Sequence, residues 1–154
     1  MELTVVPMDG LTLMLNAASI DAEFDSFEEC NAGVDCMGNF LPYAPELKFF
    51  FSAQYEWEVG SDGGQMYVRW DYSDTDDYYT HPENTAVLRE VEGYDIHNAR
   101  IGYTSGDEKW KVAVWGKNLS DSEHLRMREL NFFGVQRGHY EPPRTYGITA
   151  SYSL

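Results

Sequence analysis

Apolar and polar residues alternate with a period of two along most of this chain. From Leu47 to Val59 (LKFFFSAQYEWEV) every odd position is apolar or aromatic, and every even position is polar except Phe50. Such alternation puts successive side chains on opposite faces of a half-buried strand. After Gly60-Ser61-Asp62-Gly63 the pattern resumes, with Met66, Val68, Trp70 and Tyr72 on one side and Gln65, Tyr67, Arg69, Asp71 and Ser73 on the other. The Gly/Ser/Asp link predicts a tight hairpin turn. A strand at Leu3, Val5 and Pro7 leads through the turn Met8-Asp9-Gly10 into Leu11, Leu13, Leu15 and Ala17. Ala99, Ile101 and Tyr103 alternate with Asn98, Arg100, Gly102 and Thr104, and Trp110, Val112 and Val114 follow after Ser105–Glu108. Trp115 breaks the polar side of that segment. The last segment sets Tyr146, Ile148, Ala150, Tyr152 and Leu154 against Gly147, Thr149, Ser151 and Ser153. Helical periodicity is almost absent.

The connections between these segments are alternately short and long. Met8–Gly10, Gly60–Gly63 and Ser105–Glu108 are tight, whereas Phe24–Glu46, Ser73–Tyr94 and Ser120–Tyr140 each run to about twenty residues, long for a compact soluble domain. An antiparallel meander therefore carries every short turn at one end and every long loop at the other. Outer-membrane barrels are built this way. The expected fold is all-β, an antiparallel up-and-down meander of about seven strands. Seven strands do not close a bacterial barrel, which takes an even number, and an open apolar sheet would expose two unpaired edges. The chain is therefore expected to be a segment of a larger transmembrane β-barrel, its C-terminal part because the final strand reaches the chain terminus.

Composition refines this picture. The chain has 154 residues, 26 Asp+Glu against 11 Lys+Arg, and a formal net charge of −15, which argues against nucleic acid as a partner. No apolar run reaches the roughly 18 residues of a membrane-spanning helix, but the negative mean hydropathy says nothing against strands that average two unlike faces. Eleven Tyr, eight Phe and four Trp are a surplus that finds a use at membrane interfaces, with Tyr55, Trp57, Trp70, Tyr72, Tyr103, Trp110 and Tyr152 as candidates for the aromatic girdles. Two other readings fit the pattern. One is a soluble acidic β-domain whose aromatics bind carbohydrate, and the other is a small pore formed by self-association. Met1–Gly10 carries no export signal, so the chain either stays inside the cell or begins further upstream. Cys30 and Cys36 close a small loop disulfide in an oxidising compartment, or are two free thiols.

Several stretches resemble the C-terminal end of TonB-dependent outer-membrane receptors: Pro7-Met8-Asp9-Gly10-Leu11-Thr12-Leu13, Leu41-Pro42-Tyr43-Ala44-Pro45-Glu46, Asn98-Ala99-Arg100-Ile101-Gly102-Tyr103, Trp115-Gly116-Lys117-Asn118-Leu119-Ser120-Asp121 and Pro142-Pro143-Arg144-Thr145-Tyr146-Gly147. The resemblance spans essentially the whole chain, residues 1–154. It implies a barrel of about 22 strands whose lumen is closed by a plug, with the plug and the TonB-contacting segment outside these residues. It also implies the bacterial outer membrane as location and import of a small-molecule ligand (siderophore, cobalamin, glycan or another) driven by the TonB energy-transducing complex. Outer-membrane lipid and the barrel-assembly machinery are the other partners implied. The family's last strand usually ends in an aromatic residue read by that machinery; here Tyr146, Gly147, Tyr152 and Leu154 make up the terminal strand, with a Leu at the end.

Candidate chemistry is sparse. Asp21, Glu23, Asp25, Glu28, Glu29 and Asp35 lie in a stretch without Lys or Arg, and Asp71, Asp74, Asp76 and Asp77 open the next long connection. Neither has the spacing of a dedicated calcium loop, so a solvated outer surface is the expected role. In the third long connection Arg126, Arg128 and Arg137 sit near Phe132, Phe133 and Tyr140, either to meet a ligand or to pack the loop. The four His are too dispersed for a zinc motif. His97 is expected beside Arg100 on the polar face. Glu56 and Glu58 form a carboxylate pair of the kind glycosidases use, which a polar barrel lumen also explains. No nucleophile elbow, phosphate loop or metalloprotease motif is present, so neither enzyme activity nor a cofactor is expected.

Overall fold

The structure is a computed structural model. It describes residues 1–154 apart from 86–89, 131, 132 and 134, and of 128–130 and 136 the backbone only. Among the described residues eleven strands follow one another: β1 (Glu2–Met8), β2 (Leu11–Ser19), β3 (Leu47–Val59), β4 (Gly64–Thr75), β5 (Tyr78–Tyr79), β6 (Glu90–Val91), β7 (Tyr94–Thr104), β8 (Trp110–Lys117), β9 (Leu125–Leu130), β10 (Gln136–Tyr140) and β11 (Thr145–Tyr152). Seven of them form one sheet in the order β1-β2-β3-β4-β7-β8-β11, every neighbouring pair antiparallel. The register keeps the alternating faces aligned: Leu13 lies opposite Ala53, Ala53 opposite Trp70, Trp70 opposite Ala99 and Ala99 opposite Gly116. A slip of one residue would exchange the two faces, so the apolar side fixes the pairing.

The sheet is open, and among the described residues nothing forms a second layer on either face. The accessible surface is 10422 Å², whereas a compact monomer of this mass exposes about 8,000 Å². Among the described residues the buried apolar side chains are Cys36, Tyr78, Val91 and Ala113, and the first three lie in or beside the long connections. Leu3, Val5, Val68, Ile101, Val112, Val114 and Ile148 are all exposed on the apolar side. A soluble sandwich would have buried that face. The soluble carbohydrate-binding reading therefore loses its core.

The long connections add structure that the alternation does not announce. β5 pairs with β6 and β9 with β10, each antiparallel. The connection 20–46 folds on itself through the bridges Glu23–Phe40 and Asn31–Val34. Two limits of the sheet differ from expectation. β7 starts at Tyr94 because Asp95 and His97 continue the strand on the otherwise apolar side, which hides the alternation there. β11 ends at Tyr152, so Leu154 lies beyond the terminal strand and is fully exposed.

Candidate functional site

The outward face is an apolar band with aromatic rings at both levels. Toward the short turns Tyr55 stacks on Trp57 with centroids 5.7 Å apart, and Trp110 meets Tyr152 at 4.8 Å. Tyr103 stands one strand away, beside Met66. Toward the long connections Phe49, Trp70, Tyr72 and His97 form one cluster, with centroid separations of 5.0 to 6.2 Å. Phe49 and Trp57 are eight residues apart on β3, about 26 Å of strand at about 3.3 Å per residue. A tilt of about 40° reduces that to about 20 Å, comparable to the apolar band of outer-membrane barrels. Along β4 and β7 the facing carboxylates Asp74 and Asp95 mark where the band ends.

His97 belongs to this outward cluster, stacked on Trp70 with its Nε2 3.2 Å from Asp95 Oδ2. The expectation that it faces Arg100 is overturned. The cause is the pleat: positions 97 and 100 differ by an odd number and cannot share a face.

The inward face is polar and concave. Tyr67 lies across Gly102 and Trp115 across Gly147, each aromatic directly opposite its glycine in register, and a Cβ on either glycine would collide with the ring. Trp115 Nε1 donates to Thr149 Oγ1 at 3.2 Å, and Lys117 Nζ sits 5.7 Å from the Trp115 ring centroid. Arg69 Nε pairs with Asp71 Oδ1 at 2.8 Å, and Gln54 Nε2 donates to Glu56 Oε1 at 2.6 Å. A shallow trough runs across these strands, lined by Gln54, Tyr67, Arg69, Asn98, Arg100 and Trp115 among others. Glu56 reaches this trough, and its hydrogen bond to Gln54 gives it a structural place in the wall.

At the long-connection end, four tyrosines from separate stretches meet. Tyr43, Tyr78, Tyr94 and Tyr140 line one cavity together with Arg126 and His139. Tyr43 and Tyr78 are 6.1 Å apart, and Tyr78 Oη donates to the Arg126 carbonyl at 3.0 Å. Burial, with Tyr94 and Tyr43 close by, raises the pKa of the Tyr78 phenol, which keeps that proton in place. Tyr94 stacks on His124 at 3.8 Å. Arg126 Nε lies 3.7 Å from Glu141 Oε1. Cys30 and Cys36 are joined by a disulfide, and the same loop reaches its neighbour through Asn31 Nδ2 to Glu83 Oε1 (2.6 Å) and Asn39 Nδ2 to the Pro82 carbonyl (2.8 Å).

Of the loop residues singled out in the sequence, Arg126 and the largely exposed Tyr140 share this cavity. Arg137 lies on β10 opposite Glu129. Arg128 pairs its backbone with Gly138, and its side chain, like all of Phe132, falls outside the described residues. Tyr43, Tyr78 and Tyr94 were not singled out as site residues, because nothing local marks tyrosines from two different long connections as neighbours.

A further group was legible only as motif. Asn118, 4% exposed and at φ 50°, donates through Nδ2 to the carbonyls of Ser122 and Pro142 and accepts the Ser122 N–H on Oδ1. Arg144 bonds Asp121 twice, through its N–H and Nη2, both at 3.1 Å. The two quoted motifs around residues 118 and 144 thus clip together across the base of the last long connection.

The architecture agrees with comparisons against known proteins. The ferric yersiniabactin uptake receptor FyuA from Yersinia pestis superposes with a TM-score of 0.81 at 18% identity, over 98% of this chain and 22% of that one. BauA, the ferric preacinetobactin receptor from Acinetobacter baumannii, superposes with a TM-score of 0.73 at 18% identity, over 98% of this chain and 21% of that one. The chain spans about a fifth of the length of either receptor. Residues 2–119 match the family model described as TonB dependent receptor-like, beta-barrel. The chain belongs to the TonB-dependent receptor β-barrel family, whose members are bacterial outer-membrane β-barrel proteins.

Proposed function

We propose that residues 1–154 are the C-terminal portion of the barrel domain of an outer-membrane receptor that imports a small-molecule ligand with energy delivered through TonB. The observation that carries this reading is the uncovered two-faced sheet, apolar between aromatic rings on one side and polar on the other. Lipid satisfies the first face and a lumen the second. The plug and the earlier strands of a barrel of about 22 strands lie outside these residues. The tyrosine-lined cavity with Arg126 and Tyr140 contributes to ligand capture at the outer surface. The two receptors of like fold are both named for ferric siderophore-type ligands, which makes a ferric chelate the first ligand to try. β11, with its Tyr146, Gly147 and Tyr152, is the strand offered to the barrel-assembly machinery.

Strand direction argues against a pore of identical copies. With seven antiparallel strands β1 and β11 run the same way. Joining β11 of one copy to β1 of the next would make a parallel seam. Pairing like edges would turn one copy upside down and put long connections on both sides of the membrane. An odd number of further strands closes the barrel without either fault.

The full-length receptor containing this chain is expected in the outer-membrane fraction, taking up radiolabelled ferric chelates in cells that contain TonB and not in cells that lack it. Uptake that persists unchanged without TonB would overturn the proposal.

A further inference from the structure

We infer that the Cys30–Cys36 disulfide positions Tyr43 in the wall of the tyrosine-lined cavity, and that cutting it with a thiol weakens ligand capture there; the capture step rests on the receptor reading above. Tyr43 needs an outside support. It stands at φ 58°, a left-handed backbone that a bulky residue keeps only where its surroundings over-determine it. It is 52% exposed, so burial of its own ring supplies little of that support. Hydrogen bonds lead from it back to the disulfide. The ring closed by Cys30 and Cys36 encloses a tight turn, with the Cys30 N–H on the Val34 carbonyl (3.2 Å) and the Val34 N–H on the Asn31 carbonyl (2.7 Å). That turn presents Asn31 Nδ2 to Glu83 Oε1 in the second long connection. Cys36 donates its N–H to the Phe27 carbonyl and accepts the Asn39 N–H on its own carbonyl. Asn39 Nδ2 then donates to the Pro82 carbonyl, Phe40 stacks on Tyr79 at 6.4 Å, and the Leu41 N–H bonds the Ala22 carbonyl. The path ends at Tyr43, whose N–H donates to the Tyr79 carbonyl at 2.8 Å and whose ring meets Tyr78. Tyr78 carries it into the third connection through the Arg126 carbonyl.

The covalent link matters because this segment has little else to order it. Cys36 is the one buried residue between positions 28 and 38, so apolar burial does not offset the conformational entropy of the turn, and the cross-link must. A dithiol opens it in two steps. One thiolate of the reagent attacks the sulfur of Cys30, the more exposed of the pair, and Cys36 leaves as a thiolate. The second thiol of the reagent closes on the mixed disulfide and releases Cys30. Two electrons and two protons pass from the dithiol to the protein, which ends with two thiols. The unlinked segment samples many conformers, and a site competent in only a fraction of molecules binds with its affinity lowered by that fraction.

The test uses the full-length receptor as wild type, C30S/C36S, Y43A and the triple variant, with heat-resistant migration on gels to establish that each barrel is folded. Hydrogen exchange is read on the peptide containing Tyr43, where Pro42 and Pro45 leave few other amide hydrogens. Exchange there should speed up by about tenfold in C30S/C36S, and equally in folded wild type treated with dithiothreitol, while β3, β4 and β7 stay protected. Dithiothreitol should change nothing further in C30S/C36S. The dissociation constant of whichever radiolabelled ferric chelate binds, catecholate or hydroxamate, should rise by about tenfold on either treatment. With Tyr43→Ala already in place, removing the disulfide should leave affinity unchanged, because the residue it positions is gone. Unaltered exchange at Tyr43, or an equal loss of affinity with and without Tyr43, would overturn the inference. A wild type that binds neither chelate while exchange at Tyr43 still follows the disulfide would end the capture reading and leave the positioning role standing.

Discussion

Asn118 shows how one side chain fixes a chain reversal. It holds a left-handed backbone, which Asn tolerates better than most residues, and is almost wholly buried at the foot of the connection to β11. Its amide ties the carbonyls of Ser122 and Pro142 and the Ser122 N–H to one side chain. Asn118→Ala is expected to cost about 1–3 kcal/mol, since three side-chain hydrogen bonds that fix the chain reversal are lost at once. The measurement is the temperature at which the barrel loses its heat-resistant migration; an unchanged temperature would refute the role. Asp107 makes a second, pH-dependent case in the turn at 105–109. Its pKa is lowered, first by the Ser105 hydroxyl (2.6 Å) and then by the Lys109 N–H (3.2 Å). A depressed carboxylate contributes stability above its unfolded pKa and loses it as pH falls through the folded value. Asp107→Asn should therefore lower stability slightly at neutral pH, where the carboxylate is charged, and flatten the acid limb of an unfolding-versus-pH curve below about pH 4. At this scale the sequence was least legible. Residue type marked Asn118 and Arg144 as parts of a recurrent pattern, but the partners that explain them lie twenty-odd positions away.

Strands were legible where one face meets a uniform medium, and illegible where it does not. β3 and β8 follow the alternation closely because their outward residues sit in the apolar band throughout. β7 was foreshortened by four residues because Asp95 and His97 rise out of that band, and its first turn reads as loop. The hairpins β5–β6 and β9–β10 are two to six residues per strand and carry no face of their own, so periodicity does not reveal them. Inside the sheet, Tyr67 over Gly102 is a unit: the ring covers backbone that glycine leaves bare, and glycine leaves room for the ring. Gly102→Val is expected to destabilise the barrel by about 1–3 kcal/mol, because Tyr67 must abandon its position. Removing the ring first should lessen the penalty, so Tyr67→Ala/Gly102→Val ought to show a favourable coupling of about 1 kcal/mol in a double-mutant cycle. Additive effects would mean that the ring and the glycine are independent.

For the whole molecule, the decisive quantity is the surface left uncovered. A sheet that exposes a continuous apolar band and leaves the outer edges of β1 and β11 unpaired is stable neither in water nor in lipid on its own. The alternation, the one-sided long connections and the strand count carried this conclusion in the sequence, because each is a property of the chain as a whole. The parity of the edges adds that the complement must supply an odd number of strands. Residues 1–154 expressed alone are therefore expected to aggregate without detergent and to give no steady conductance across a planar bilayer. Co-expression with the remainder of the receptor as a separate polypeptide should restore a heat-resistant complex, because β1 and β11 then find antiparallel partners. Proline at a β11 position whose N–H faces that missing partner should block the assembly and leave the β8–β11 pairing intact. A chain that stays monomeric and soluble by itself, with its outward face protected from hydrogen exchange, would show that some cover other than lipid and barrel had been found.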